Sequence, residues 1–361
     1  MNVRIDSINK RADARSLPAL GTWGLHFLSK IVLDSAARFD DDEAYTLSRA
    51  LETEWARELE VPRPELPLAT GDLLPDSQMV EEGSTSYRYH LINDQGDAEW
   101  ASSYSGHDMP TTSLAAAEMT GVVRVIQGGY VVSRTQLRQA RKGRVQLIPR
   151  NQRASLRAHT ELWDETLAWG KESIGLLGLF NHPLISVITA ADNGSGSTFW
   201  RLKSVDQIVA DVAALVNSIP RQTNEIKHAT RVLMSPRLYD YCQQTRIGGD
   251  NGSLTILQHL VRIFQTGADG VVAPQFPITF STVRYLDATN SRSQGKIATD
   301  SLFAYIDNDP DVVAKVRGFL GRAYPTQDDG TMLLTPAESE LGAVEVAQPL
   351  CLVRMDGVFN G

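Results

Sequence analysis

The chain has 361 residues, of which 42% are hydrophobic and 22% charged, and this composition fits one elaborate globular domain or two conventional ones. Its formal net charge of -8 argues against a protein whose main task is to grip nucleic acid, because neutralising phosphates requires a basic surface. Two cysteines, Cys242 and Cys351, are too few for a disulfide framework and stand too far apart for metal-ligand spacing.

Two uncharged stretches imitate membrane signals. Residues 17–29 follow a basic start, as the core of a signal peptide would, but Pro18 and His26 interrupt the apolar run. Residues 173–191 are long enough to span a bilayer, yet Asn181-His182-Pro183 would place polar groups and a helix breaker in mid-membrane. We therefore expect no membrane segment and a chain that stays in a reducing cytoplasm.

Residues 1–69 are predicted to form an arm with little core of its own. One helix begins after the acidic residues 40–42, and apolar side chains recur along it at three- and four-residue steps. These side chains are Ala44, Leu47, Leu51, Trp55 and Leu59. The proline-dense stretch 61–67 should then run extended.

A β-hairpin is predicted next. Residues 85–91 alternate with a period of two, residues 93–96 have the composition of a turn, and Trp100 and Tyr104 lie on the return. A lone two-stranded hairpin is only marginally stable in water. The hairpin therefore needs a platform, which either its own domain or a neighbouring subunit could supply.

The following segment is predicted as a strand over 121–132, a helix from the N-cap Ser133 to Lys142, and a long helix over 149–169. In the long helix, Leu156, Trp163 and Leu167 mark one apolar face.

Residues 119–160 contain nine basic side chains and no acidic one. They are Arg124, Arg134, Arg138, Arg141, Lys142, Arg144, Arg150, Arg153 and Arg157. Such a run is either a solvated face or a basic belt that meets acidic neighbours or packaged nucleic acid.

The second half of the chain predicts alternating strands and helices. Ser204 with Gln207 forms a capping box, while Ser235 and Ser253 are N-caps of two further helices. Strands are predicted over 229–234, 278–286, 301–306 and 341–358, the last broken at residues 348–349.

We find no motif for a nucleophile, a metal or a phosphate in the sequence. Asp307, Asp309 and Asp311 imitate half of a calcium loop, but Val312 and Gly318 stand where the turn glycine and the closing carboxylate belong. Asp309-Pro310 is better interpreted as a helix start. The sequence thus predicts no catalytic residue, no metal site and no cofactor.

Taken in order, these parts resemble the major capsid proteins of tailed bacteriophages with the Hong Kong 97-type fold. Residues 94–98 with 108–110 resemble the family's extended loop, residues 133–143 the helix before the spine, and 149–169 the spine helix. The most specific match is Gly178-Leu179-Phe180-Asn181-His182-Pro183, the Gly-Leu-x-Asn-x-Pro junction of one branch. Residues 344–350 resemble the return strand.

The resemblance implies an α+β subunit in four parts. These are an N-terminal arm (1–69), an extended loop (70–118), a peripheral domain (119–180 and 300–348) around the spine helix 149–169, and an axial domain (181–299 and 349–361). It also implies a non-enzymatic protein whose copies form hexamers and pentamers of an icosahedral head shell, which encloses double-stranded DNA without sequence-specific binding.

Scaffold, portal and decoration proteins are further candidate partners. The implied location is the virion capsid, after assembly in the cytoplasm of a bacterial host. Two other functions remain open at this point, namely the shell of an encapsulin-like nanocompartment and a soluble α/β enzyme whose site the sequence does not reveal.

The residues expected to contact neighbouring subunits lie on the arm, the hairpin and the basic segment. They are Trp55, Tyr87, Arg88, Tyr89, Asp94, Trp100, Tyr104, Arg150, Arg153 and Arg157. Some members of the family cross-link a loop lysine to an asparagine of a neighbour. Because residues 66–120 contain no lysine, we expect no such cross-link here.

Overall fold

A computed structural model describes residues 64–77, 79–95, 113–142, 146–248, 254–266, 275–290, 293 and 295–359. The chain divides into two units, Met1–Glu65 and Leu66–Gly361, and the described residues lie almost entirely in the second. The predicted arm helix with Trp55 therefore falls outside the described residues, as do Trp100 and Tyr104.

Helices and strands are interspersed along the second unit. The α-helices are α1 (Pro67–Thr70), α2 (Arg134–Lys142), α3 (Leu147–Trp169), α4 (Val205–Gln222), α5 (Pro236–Gln244) and α6 (Ile256–Val261). The strands are β1 (Ser86–Gln95), β2 (Ser113–Ser133), β3 (Ser186–Thr189), β4 (Arg231–Met234), β5 (Thr279–Thr282), β6 (Asp300–Tyr305), β7 (Val313–Arg317), β8 (Arg322–Ala323), β9 (Gln327–Asp328), β10 (Met332–Val346) and β11 (Val353–Phe359).

The first sheet is antiparallel and built around two long strands, β2 and β10. Its order is β1-β2-β10-β7, and the short β8 and β9 also pair with β10. Strand β2 changes partner along its length, because residues 113–122 pair with β1 and residues 123–133 pair with β10. The prediction of a strand over 121–132 was therefore right in place but eight residues too short at its start.

The C-terminal half of helix α3 packs against this sheet. Trp163 and Leu167 are buried, as their spacing predicted. Leu156 lies on the same side of the helix but is 44% exposed, because the covered part of that face begins only at His159. The helix starts at Leu147, so that Pro149 lies within its first turn, where no backbone N–H is needed.

The second sheet has the order β3-β11-β6-β4-β5 and mixes parallel and antiparallel pairs. The capping box of Ser204 and the N-cap Ser235 are confirmed at the starts of α4 and α5. The predicted cap Ser253 is wrong. Helix α6 begins after Thr255. The hydroxyl of Thr255 accepts a hydrogen bond from the backbone N–H of Gln258, and the side chain of Gln258 accepts one from the backbone N–H of Thr255, so the two residues form a capping box.

Strand β6 lies between the two hydrophobic cores of the unit, and all six of its residues are buried. Phe303 and Tyr305 point into the core around α3, whereas Leu302 and Ala304 point into the core under α4. This follows from the alternation of side chains along a strand. The sequence-based division placed β6 in the peripheral part, yet its sheet partners β4 and β11 come from the axial part.

Three further predictions can be compared with the structure. Residues 93–95 continue β1 instead of turning, so the predicted hairpin turn at 93–96 is wrong: the ladder extends to the pair Gln95 and Ser113. Residues 309–312 form a turn and not a helix start. The break at residues 348–349 is confirmed between β10 and β11.

None of the helices in the described ranges is both long enough and apolar enough to cross a bilayer.

Candidate subunit-contact surfaces

The first candidate surface is a two-stranded ribbon, formed by β1 with residues 113–122 of β2. Ten consecutive residue pairs join the two strands, from Ser86 with Val122 to Gln95 with Ser113. At about 3.4 Å per residue, the ribbon is about 30 Å long. No third strand among the described residues pairs with it. Two strands alone are marginal in water, so the ribbon is the least self-sufficient element of the described fold.

Tyr87 and Tyr89 anchor the root of this ribbon. Their half-buried rings stack at a centroid distance of 6.2 Å, and the ring of Tyr87 covers Gly121, its cross-strand partner. A Cβ atom on Gly121 would lie only 2.0–2.3 Å from that ring. An aromatic side chain thus fills the space that the glycine leaves open in the strand.

The two tyrosines face a groove of about 640 Å³ between the ribbon root and the edge of β7. Glu345 lies in the same groove and accepts a hydrogen bond from the hydroxyl of Ser77 at 2.8 Å. Burial raises the pKa of Tyr87 and of Tyr89, and the nearby carboxylate of Glu345 raises both further. The structure thus brings two of the predicted contact residues together against their own chain.

Arg88 projects from the opposite face of β1. Its side chain is 70% exposed and forms an ion pair of 3.0 Å with Glu118 across the ribbon. Asp94 is paired with Leu114 near the far end of the ribbon. Arg88 is therefore more exposed than Tyr87 and Tyr89, the other predicted contact residues of the ribbon whose exposure the structure describes.

The second candidate surface is basic and lies on α2 and the first half of α3. Helix α2 has no buried residue and ends in Arg141 and Lys142. At its start, Arg134 is ion-paired with Asp328 of β9. On α3, Arg150 and Arg153 are exposed, and Arg157 is ion-paired with Glu161 at 2.8 Å.

A third feature was missed by sequence reasoning: two buried charges hold the short helix α1. Asp164 of α3 accepts the backbone N–H groups of Leu68 and Ala69 at 3.0 and 2.9 Å. Lys315 of β7 donates to the carbonyl oxygens of the same two residues at 3.2 and 2.8 Å. We call Asp164 and Lys315 the α1 clamp.

Each charge of the clamp has further partners. Asp164 accepts the hydroxyl of Tyr285 at 2.6 Å and the guanidinium of Arg284 at 3.3 Å. Burial lowers the pKa of Lys315, while the carboxylate of Asp76 at 3.5 Å opposes that change. Satisfying both charges in this way is what makes their burial tolerable.

The sequence carries a signal for the clamp that composition alone does not reveal. Lys315 interrupts the apolar run Val312-Val313-Ala314 and Val316, and Asp164 follows Trp163 on the buried side of α3. A single charge inside an apolar element is the pattern of a buried, paired charge. Its partner, the backbone of residues 68 and 69, could not be identified from sequence.

His159 lies where β2, α3 and β10 meet. Its Nδ1 is 2.7 Å from the hydroxyl oxygen of Ser339, and its Nε2 lies against the backbone of Gly128. Burial lowers the pKa of His159. The space around Gly128 is filled by this ring, so the glycine is needed for the close approach of helix and sheet.

Within the described ranges, no three His, Cys, Asp or Glu side chains are placed to hold a metal ion.

Comparison with known proteins identifies the chain's relatives. The model of a family described as "Major capsid protein" matches residues 96–358, which is 263 of the chain's 361 residues. No curated protein sequence matches the chain.

Solved capsid structures share the fold. The capsid protein of Myoviridae phage XM1 is 17% identical with a TM-score of 0.62, over 83% of this chain and 95% of that one. A capsid chain of a native GTA particle is 10% identical with a TM-score of 0.56, over 83% and 92%. A chain from Mycobacterium phage Bobi is 11% identical with a TM-score of 0.54, over 84% and 93%. Identities this low show the common fold alone.

Proposed function

We propose, because this chain belongs to the major capsid protein family, that its copies assemble into the icosahedral head shell of a tailed phage. The protein is a structural subunit of a capsid shell, and its Hong Kong 97-type fold is that of phage capsid proteins. The finer proposal is that hexamers and pentamers tile the shell and that the shell encloses double-stranded DNA.

The observation that carries this proposal is the ribbon. Its ten residue pairs extend the first sheet beyond the part of β2 that pairs with β10, with no third strand among the described residues. An element that is marginal alone becomes stable when a neighbouring copy supplies its missing support. Obligate interfaces of this kind bury on the order of 2,000–5,000 Å².

We further propose that the ribbon is the part that meets neighbouring copies, through the exposed Arg88. For Arg150 and Arg153, which are exposed on the basic segment, we propose contact with the enclosed nucleic acid instead of a neighbouring copy. Tyr87 and Tyr89 already contact their own chain, so their role is to orient the ribbon. Trp55, Trp100 and Tyr104 remain predicted contacts outside the described residues, and the four-part division of the chain remains a proposal with them.

Scaffold, portal and decoration proteins are proposed partners, with assembly in the host cytoplasm. We propose no enzymatic activity, since a shell subunit of this family needs geometry and not chemistry to perform its task.

Electron microscopy of the purified chain tests the proposal directly. We expect rings or closed shells in negative stain. A discrete monomer or dimer at every concentration would contradict it. The content of the particles separates the two shell functions, because a phage head holds DNA whereas a nanocompartment holds a cargo enzyme.

A denaturing gel of assembled particles tests the absence of the loop-lysine cross-link. Since residues 66–120 have no lysine, we expect one band at the mass of the single chain. A ladder of covalently linked multimers would show that another lysine takes that role.

A further inference from the structure

We propose that helix α2 and the start of α3 bind the phosphate backbone of nucleic acid, as the shell's electrostatic contact with its contents. The proposal rests on the proposed function and names a partner for one of its surfaces. The surface, called here the basic face, consists of five exposed cationic side chains. They are Arg138, Arg141, Lys142, Arg150 and Arg153.

The first argument is that the described acidic side chains do not neutralise the cations of the basic face. Among the described residues, none of the five cations of the basic face is ion-paired with an acidic side chain, whereas the flanking Arg134 and Arg157 are paired with Asp328 and Glu161. The chain nevertheless carries a net charge of -8. Positive charge is therefore concentrated on one face of an acidic protein, and concentrated charge attracts a polyanion.

The second argument is spacing. Arg134, Arg138 and Arg141 recur at steps of four and three residues, which places them on one stripe of α2 with about 5–6 Å between successive Cβ atoms. Lys142 and Leu147 are five residues apart, so the start of α3 lies within about 18 Å of the end of α2. The cations of α2 thus form a stripe suited to successive phosphates, and Arg150 and Arg153 follow within one short connection of the chain.

The third argument favours phosphates over an acidic protein surface. Protein interfaces have an apolar core and are depleted of charge there, whereas interfaces with nucleic acid are polar and strongly positive. Helix α2 exposes no large hydrophobic side chain, and the start of α3 exposes one, Ile148, beside its cations. A face of this composition fits a phosphate backbone better than a second copy of this chain.

The test measures binding of the unassembled full-length chain to a labelled 20-base-pair DNA duplex, by fluorescence anisotropy at a series of salt concentrations. The variant Arg138→Gln/Arg141→Gln/Lys142→Gln removes three charges from α2. Its control, Arg221→Gln/Arg246→Gln/Lys296→Gln, removes three exposed charges elsewhere and leaves the same net charge.

We expect the α2 variant to bind at least tenfold more weakly than the wild type at about 50 mM salt. The slope of log K against log salt should fall by about 3, because each phosphate contact contributes about 0.9. The control should change affinity less than threefold. Equal losses in both variants would overturn the inference, since bulk charge alone would then explain the binding.

Electron microscopy of the same variants separates this inference from the proposed function. Normal shells from the α2 variant, together with weakened DNA binding, support both. Failed assembly with unchanged DNA binding would assign the basic face to a neighbouring subunit and overturn the inference, while leaving the shell function intact. Absence of shells from the wild type would instead count against the proposed function.

Discussion

Two segments that follow one another in the chain, residues 66–77 and the ribbon strand β1, are stabilised in opposite ways. The first is short and irregular, yet Leu68 and Leu74 are fully buried and the α1 clamp satisfies its backbone. The second is a regular strand that pairs with β2 alone. Regular secondary structure is therefore no guide to independence: the irregular segment belongs to the core, whereas β1 is supported by a single strand among those described.

Asp164→Ala should produce the largest effect, because it removes one charge of the α1 clamp. Leu68, Ala69 and Tyr285 would lose their acceptor, and Arg284 would lose its ion-pair partner. We expect the free energy of unfolding, measured by urea denaturation of the unassembled chain, to fall by about 3–5 kcal/mol. Asp240→Ala, at an exposed position of α5, should change it by less than about 0.5 kcal/mol. Equal changes in the free energy of unfolding for the two variants would contradict a stabilising role of the α1 clamp.

Gly121→Ala tests the ribbon root and should have an intermediate effect. The new methyl group would displace the ring of Tyr87, at an expected cost of about 1–2 kcal/mol. In a Tyr87→Leu background the same substitution should cost less, because the ring is no longer there to be displaced. Thr120→Ala, at an exposed neighbouring position, is the control. A double-mutant cycle in urea measures the coupling, and zero coupling would contradict the packing described here.

His159 adds a pH-dependent effect beside Gly128, in the part of β2 that pairs with β10. Burial lowers its pKa, so the unfolded state takes up a proton near pH 6.5 that the folded state takes up only at lower pH. The contribution of His159 to the free energy of unfolding is therefore complete above about pH 6.5 and is lost as the pH falls toward the pKa in the folded state. Because one proton is involved, the free energy of unfolding cannot change by more than about 1.4 kcal/mol per pH unit.

His159→Asn should flatten this pH dependence between pH 7.5 and 5, measured as urea midpoints. His182, whose pKa burial also lowers, contributes with the same sign, so part of the slope should remain. An unchanged slope in the variant would show that His159 is not the group responsible.

Arg88→Ala should have the smallest effect on the isolated chain. The Arg88–Glu118 pair is largely exposed, and such pairs contribute about 0–0.5 kcal/mol to folding. The predicted contact role requires instead that the yield of assembled particles falls, measured by sedimentation. A variant that assembles as well as the wild type would remove Arg88 from the contact surface.

Much of the fold follows from local patterns in the sequence. The capping box of Ser204, the N-cap at Ser235 and the buried Trp163 and Leu167 are determined by residues within one or two helical turns, so they could be predicted. The turn predicted at 93–96 had the right residue types, but residues 93–95 continue the ladder with β2. Cross-strand pairing between distant segments outweighed turn propensity there.

The candidate surfaces were predictable in part for the same reason. A run of nine basic residues is visible in the sequence, and so is the alternation of β1. The contacts of the α1 clamp join residues that are far apart in the chain. Ala69 and Asp164 are separated by 95 positions, and Leu68 and Lys315 by 247, so no local pattern could pair them. Leu156 shows the reverse error, because periodicity identifies a face of a helix but not how far along the helix that face is covered.

The continuity of β2 gives the ribbon a mechanical connection to the body of the subunit. One uninterrupted backbone of 21 residues runs from Ser113, in the ribbon, to Ser133, beside β10 and at the start of α2. A load applied at Ser113 therefore has no hinge loop to absorb it before it reaches the hydrogen bonds with β10. That load reaches the part of β2 that lies against His159 at Gly128.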